Sequence, residues 1–211
     1  MRSFDLIQIK ILLKVYNYLY KRINFLARKI NDGVHPKHRI LGYHEYFLKL
    51  IMEGSKVLDI GCGHGELAYE LANKANLVVG IDIDPNSISM AKSKFQKHNI
   101  KYIVGDATKY QFQEKFDYII LSNVLEHLTN RIEFLRKIKN LASTILVRVP
   151  MINRSWIIIY QKELNIDYRL DSSHYIEYTL ESFKEELNQS GLTIISQEIR
   201  FGEIWAHIEK I

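Results

Sequence analysis

Two hydrophobic periodicities divide the chain. Over residues 6–31 the polar positions Lys10, Lys14, Asn17, Lys21, Asn24 and Arg28 recur in alternating steps of four and three. That spacing lays them in one narrow stripe along a helix. The rest of the cylinder is apolar or aromatic: Leu6, Ile9, Leu12, Leu13, Tyr16, Leu19, Tyr20, Ile23, Leu26 and Ile30. Such an apolar sector is wider than a helix resting one side on a core needs. Asn31-Asp32-Gly33 and then Pro36 are expected to end the helix. A second, shorter helix is expected over residues 43–52, with Tyr43, Phe47, Leu50 and Ile51 on one side.

After Gly54 short apolar runs alternate with helical periods. Strands are expected over residues 56–60, 77–82, 101–104, 117–121, 144–149, 192–199 and 204–208. Helices are expected over 66–75, 86–97, 131–141 and 180–190. Val- and Ile-rich strands separated by helices imply an α/β fold whose parallel sheet is covered on both faces. The chain therefore divides into an N-terminal helical extension or lid, residues 1–53, and a main domain, residues 54–211. An insertion at about 150–178 is expected to cover the substrate. Its apolar run Trp156-Ile157-Ile158-Ile159-Tyr160 reads either as a lid helix packed on the N-terminal helix or as core. Trp205 reads as core.

Charge sharpens the division. The 211 residues carry a net charge of +5. Residues 1–56 hold 11 Lys/Arg against 4 Asp/Glu, whereas residues 57–211 hold 18 against 20. No acid occurs between Leu6 and Asn31. The basic helix is thus expected either to bury its broad face against the domain, the following helix or a second chain, as in a homodimer through residues 5–30, or to lie on an anionic membrane surface. Cations and amides interrupt the apolar run too often for a membrane span, and no cleavage site follows it. The single cysteine, Cys62, excludes a disulfide framework and fits a reducing cytoplasm, which places the basic helix at the inner face of the membrane. His35, Lys37, His38 and Arg39 form either a solvated loop or an anion contact near a pocket mouth. His35, His38 and His44 lack a metal spacing, and no metal is assigned.

In a parallel sheet of this kind ligands bind at the carboxyl ends of the strands. The first such end reads Asp59-Ile60-Gly61-Cys62-Gly63-His64-Gly65-Glu66. Three glycines in five residues permit a tight turn and let a ligand touch bare backbone. Glu66 stands where a dinucleotide fingerprint wants glycine or alanine, and Asp59 would repel a pyrophosphate but suits an ammonium or a sulfonium. The second end, Gly80-Ile81-Asp82-Ile83-Asp84-Pro85, offers Asp82 to two ribose hydroxyls, while Asp84 caps the next helix. The third, Gly105-Asp106-Ala107, offers a carboxylate to an exocyclic adenine amine.

These three segments, together with Phe116-Asp117-Tyr118-Ile119-Ile120 and Val124-Leu125-Glu126-His127-Leu128, resemble the ordered motifs of class I S-adenosylmethionine-dependent methyltransferases. The likeness is greatest to the small-molecule, ubiquinone-pathway-like branch and covers roughly residues 54–150. It implies a Rossmann-like, doubly wound seven-stranded sheet with the last strand antiparallel, and S-adenosylmethionine as cofactor. By position, Asp59, Gly61, Gly63 and Gly65 would surround the methionine part, with Cys62 a small filler inside the turn. Asp82 and Ile83 would hold ribose and flank adenine. Asp106 and Ala107 would contact adenine, and Asn123 and Leu125 would line the methyl-donor side.

Methyl transfer from a sulfonium needs mainly alignment and exclusion of water, and an oxygen acceptor gains from a general base. His127 and His174 are the candidate bases. Arg169, Asp171 and Tyr178 are the candidate substrate contacts. The expected acceptor is a small molecule, a glycan sugar or lipid-linked precursor, with a quinone-type phenol as the alternative. No nucleic acid is expected, because Asn123 lacks the Pro-Pro-aromatic run of base-amine methylation and no basic and aromatic interleaving marks a strand channel. A non-catalytic module docking on a membrane or partner is the rival from another class, and a nicotinamide-dependent dehydrogenase a further one.

Overall fold

A computed structural model of the chain describes residues 2–31 and 34–211, of residues 2 and 3 the backbone only. Asp32 and Gly33, expected to end the first helix, lie outside the described residues. Three helices precede the sheet: α1 (Arg2–Lys29), α2 (Lys37–Leu41) and α3 (Tyr43–Leu50). Then come β1 (Lys56–Ile60), α4 (Glu66–Leu71), β2 (Leu77–Asp82), α5 (Pro85–Lys94), β3 (Ile100–Val104) and β4 (Phe116–Ser122). After them follow α6 (Arg131–Ile138), β5 (Ala142–Pro150), α7 (Trp156–Glu163), α8 (Leu180–Ser190), β6 (Leu192–Arg200) and β7 (Glu203–Lys210).

The seven strands form one sheet in the order β3-β2-β1-β4-β5-β7-β6. Neighbours are parallel up to β5, and β7 runs antiparallel to both β5 and β6. The order reverses between β1 and β4, so the carboxyl ends of these two strands flank the crevice in which such sheets bind ligands. Because strand side chains alternate, each strand feeds two cores. On one face Leu58, Ile60, Ile119, Leu121, Ile145 and Val147 pack with Phe134 and Leu135 of α6 and Phe183 and Leu187 of α8. On the other Val57, Val78, Ile120, Leu146 and Trp205 pack with Phe47 of α3, Leu67 and Leu71 of α4 and Ile88 of α5. Asp59 follows Val57 by two residues and so points its carboxyl group into this second apolar face.

The cap expected at Asp84 is present. Asp84 accepts from Asn86 N and Ser87 N at the start of α5, followed by Pro85 at its first position. Thr179 and Ser182 form a capping box on α8, and Gly191 ends it in the left-handed conformation. The edge strand β6 carries a register break between Ile194 and Ser196.

Helix α1 departs from one of the two expectations. Its broad apolar face does not pack on the domain: Leu12, Leu19 and Ile23 are 63%, 51% and 65% exposed. Leu13 is its one buried residue among those described. The polar stripe turns inward instead. Asn17 Nδ2 donates to the Asp167 carbonyl at 2.6 Å, Gln161 Nε2 of α7 donates to Asn17 Oδ1 at 2.8 Å, and Asn24 Oδ1 lies 2.7 Å from His35 Nε2. The apolar run at 156–160 does form a helix: α7 meets α1 through this amide pair, beside a cavity lined by Tyr16 and Tyr20 of α1 and Ile158 of α7, while Trp156 stays exposed. No helix among the described residues is long and apolar enough to cross a membrane.

Candidate active site

The glycine turn between β1 and α4 is held from across the sheet. Gly61 N and Cys62 N both donate to the Ile81 carbonyl, at 2.8 and 3.2 Å, and Gly63 N donates to Asp82 Oδ2 at 2.9 Å. The other Asp82 oxygen accepts from Asp84 N at 2.9 Å. Each carboxylate oxygen retains a second lone pair, so Asp82 orders the turn and can still accept from two hydroxyls. Gly65 closes the turn at φ +88°, and a Cβ there would stand 2.5 Å from the Tyr102 hydroxyl and 2.9 Å from Ala91 Cβ. Gly65→Ala is therefore expected to destabilise the fold by about 3 kcal/mol, combining overpacking with left-handed strain. Urea unfolding measures it, and an unchanged midpoint would show that the turn tolerates a side chain.

Asp59 is buried, and its Oδ2 has no hydrogen-bond partner. Burial, reinforced by the charge of Asp82, pushes its carboxyl up to about 8. A fully buried carboxylate oxygen without a donor is costly unless a ligand supplies one. It faces a cavity of about 160 Å³ that it shares with Gly61, Cys62, Gly63, Tyr43, Glu66 and Arg148. Burial pushes the Cys62 thiol far up, so it remains an inert filler.

On the other side of Gly61 lies a cleft of about 370 Å³. Its lining includes Asp82, Ile83, Gly105, Asp106, Ala107 and Asn123, all predicted from sequence except Gly105, whose glycine was noted but not assigned. Asp106 Oδ1 is already taken by Thr108 N and Oγ1, at 3.0 and 2.6 Å, and Lys109 Nζ stands 3.3 Å from Oδ2. Two expected residues fall elsewhere. Gly65 serves the backbone turn rather than the lining. Leu125 is fully buried in the core, and Val124 takes the place expected of it on the cleft wall. The reason is local: a 3-10 turn, Leu125–His127, follows Asn123, whose φ of +57° swings the chain off β4.

A third cavity, of about 540 Å³, opens between α1 and the main domain. Its walls carry Lys21, Asn24 and Arg28 from α1, His35 and Lys37 from the connection, and His127, Asp171 and His174 from the domain. Asn123 and His127 line both this cavity and the cleft beside Asp82 and Asp106, so the two spaces meet there. The His127 and His174 rings stand edge to face, 4.7 Å apart. Burial, then the neighbouring His174, lowers the His127 pKa.

Of the expected substrate contacts, Asp171 reaches this cavity, and it also accepts from Ser173 N and Oγ at 2.8 and 2.7 Å. Arg169 lines a neighbouring cavity and binds the loop itself, donating to the His174 carbonyl at 3.0 Å and to Asp167 Oδ1 at 3.1 Å. Tyr178 is a correction. It is fully buried in the core and donates its hydroxyl to Glu186 Oε1 at 2.7 Å, because an isolated bridge with Met151 pulls its backbone beside β5.

Sequence reasoning missed Arg148. It is 4% exposed, lies over the Tyr43 ring at 3.7 Å, donates to Asn123 Oδ1 and stands 3.5 Å from Glu203 Oε2. A lone cation inside the apolar run 144–149 was the available signal.

The comparisons agree with this geometry. A family described as a methyltransferase domain matches residues 51–164. N-methyltransferase 4 of Papaver somniferum is 36% identical over 97 residues, covering 43% of this chain and 27% of the relative. Ubiquinone biosynthesis O-methyltransferase of Glaesserella parasuis is 33% identical over 96 residues, covering 42% and 41%. The matches thus span less than half the length of these curated relatives. Among solved structures, magnesium protoporphyrin IX methyltransferase from Synechocystis with bound SAH superposes with a TM-score of 0.66 at 18% identity, covering 81% of this chain and 83% of that one. A methyltransferase of Haloferax volcanii complexed with its Trm112 activator gives 0.67 at 15% identity, covering 89% and 95%. With an orphaned carboxylate oxygen at Asp59, a glycine turn of bare backbone and acids at the next two strand ends, the residues present fit S-adenosylmethionine, which supplies an activated methyl group when bound. The chain belongs to the class I S-adenosylmethionine-dependent methyltransferases.

Proposed function

We propose that the enzyme methylates an oxygen of a small anionic amphiphile, such as a lipid-linked sugar precursor, held in the cavity under α1. The observation that carries this reading is the junction at Asn123 and His127, where that cavity opens onto the cofactor cleft. Asp59 and Arg148, on one small cavity, are the partners for the ammonium and carboxylate of the cofactor's amino-acid end. Asp82 takes the ribose and the cleft around Asp106 and Ala107 the adenine. Lys21, Arg28 and Lys37, set against Asp171 and Glu203, leave the acceptor cavity with an excess of cations, which favours an anion over an ammonium. This sets an oxygen acceptor ahead of a nitrogen one. His127 and His174 are the side chains placed to act on it.

The test uses methyl-labelled cofactor with a lipid extract. Label is expected in the organic phase, stable to mild alkali as an ether is. Label in RNA, or on amines only, would overturn the oxygen reading.

The outward face of α1 supports the lipid link. Leu12, Leu19 and Ile23 are exposed on a helix that, besides the Lys21 and Arg28 of the cavity wall, carries Lys14, Arg22 and Lys29. Anionic lipid complements these cations, whereas a second copy of the helix would bring the same charge. Vesicles containing phosphatidylglycerol are expected to sediment the protein and phosphatidylcholine vesicles are not. The double variant Leu12→Glu, Leu19→Glu should abolish the sedimentation. Equal failure on both vesicles, with a dimer in solution, would assign the face to self-association.

A further inference from the structure

We propose that Glu126, His127 and His174 bind one divalent cation of the zinc, manganese or iron class at the junction of the cofactor cleft and the cavity under α1. One potential ligand atom from each residue lies within 4.8 Å of the others. The expectation of no metal rested on His35, His38 and His44; these three residues are a different set, separated in sequence and joined by the fold.

The carboxylate comes first. The Glu126 side chain is fully buried. Its Oε1 accepts from Asn123 Nδ2 at 2.6 Å, while Oε2 has no hydrogen-bond partner. A buried carboxylate oxygen left in that state asks for a proton or a cation.

The histidines supply the second argument. Ser173 Oγ lies 2.7 Å from Asp171 Oδ1 and 2.9 Å from His127 Nδ1. Serine has one proton, and the carboxylate can only accept it. His127 Nδ1 must therefore be the donor to Ser173, which leaves Nε2 as the ring atom with a free lone pair. The same holds at His174, whose Nδ1 lies 3.2 Å from Glu177 Oε1. Glu177 also accepts from Leu170 N at 2.6 Å and pairs with Arg154, and in that setting it accepts from His174 rather than donating to it. Both rings thus present a bare nitrogen, each oriented by an outer hydroxyl or carboxylate, as metal-binding histidines are.

The backbone holds the set together. Glu126 and His127 sit on the turn after β4, His174 on the loop before α8, and Tyr175 N donates to the Glu126 carbonyl at 2.8 Å to clamp the two segments. Two imidazoles and one carboxylate suit zinc, manganese or iron better than calcium or magnesium, which prefer all-oxygen shells.

The catalytic use of this cation rests on the acceptor cavity proposed above; its binding does not. In transfer to a hydroxyl, the O–C bond forms as the C–S electron pair returns to sulfur and the hydroxyl proton leaves to water. A cation here would ease that proton loss.

The test is cobalt(II) added to metal-stripped full-length protein, with no cofactor present. A visible d–d band saturating at one equivalent is expected, with a matching calorimetric stoichiometry for zinc. His127→Gln and His174→Gln should each weaken binding by about 10²-fold, and Ser173→Ala, which keeps all three ligands, by about 10-fold. His98→Gln, just before the amino end of β3 and so at the opposite end of the sheet from this site, should change nothing. No saturable band, or an unchanged band in both ligand variants, would overturn the site; Ser173→Ala decides if those variants misfold. S-adenosylhomocysteine titrated into the same samples separates this outcome from a failure of the methyltransferase site.

Discussion

Asp59→Asn is expected to lose cofactor and gain stability at once. The carboxyl is buried without a donor, and burial holds its pKa at about 8. Its folded pKa lies above that of the unfolded chain. Its favourable contribution is therefore complete below the unfolded value near 4 and is lost as pH rises through about 8. An amide of the same shape never ionises, so the variant avoids that loss. Above pH 8 it should be more stable than the parent by about 2 kcal/mol, or about 5 °C in Tm for a chain of this length. The advantage should shrink steadily as pH falls from 8 towards 4. The same change removes the anion proposed to meet the cofactor's ammonium, and S-adenosylhomocysteine should bind on the order of 10²-fold more weakly. Differential scanning fluorimetry across pH and titration calorimetry at pH 8 measure the two effects. A variant that binds as tightly as the parent would remove Asp59 from the cofactor site.

His174→Ala is expected to lower turnover by about 10²-fold or more while S-adenosylhomocysteine affinity stays within about twofold. The separation follows from placement. His174 lines the cavity under α1 and not the cofactor cleft, whereas His127 lines both. Its removal takes away a group proposed to act on the acceptor and leaves the lining of the cofactor cleft unchanged. Single-turnover kinetics with labelled cofactor, beside calorimetry, separates the two. A fully active variant would exclude His174 from the reaction, and a parallel loss of cofactor binding would make it structural.

The strand ends were legible in the sequence because each combines an apolar run with a residue the run does not explain. Asp59, Asp82 and Asp106 are acids at the tips of Val- and Ile-rich segments, and the glycines after Asp59 demand a turn. The cavity under α1 was not legible. It depends on which way a long helix turns its stripe, and a helix whose polar side faces its own domain reads in sequence like one that faces water. Asn17 and Asn24, amides in that stripe, were the local hint, since they pair with backbone and His35 rather than with solvent. Leu125 and Tyr178 failed for a different reason. Each lies one or a few residues from a true cleft residue, and an irregular segment gives no period from which to read direction. Arg148 and Glu126 became visible only once the fold supplied the partners that make their burial tolerable, or left it unanswered.

The break in β6 bears on how copies of the chain can meet. Between Ile194 and Ser196 the outer strand loses its regular ladder, and further along it bears the Glu198–Arg200 ion pair, 2.6 Å at its shortest, with Ile195 and Ile199 exposed beside it. An interrupted, charged rim is a poor template for an incoming strand. Strand-to-strand pairing of copies along this border, one of the sheet's two edges, is therefore disfavoured.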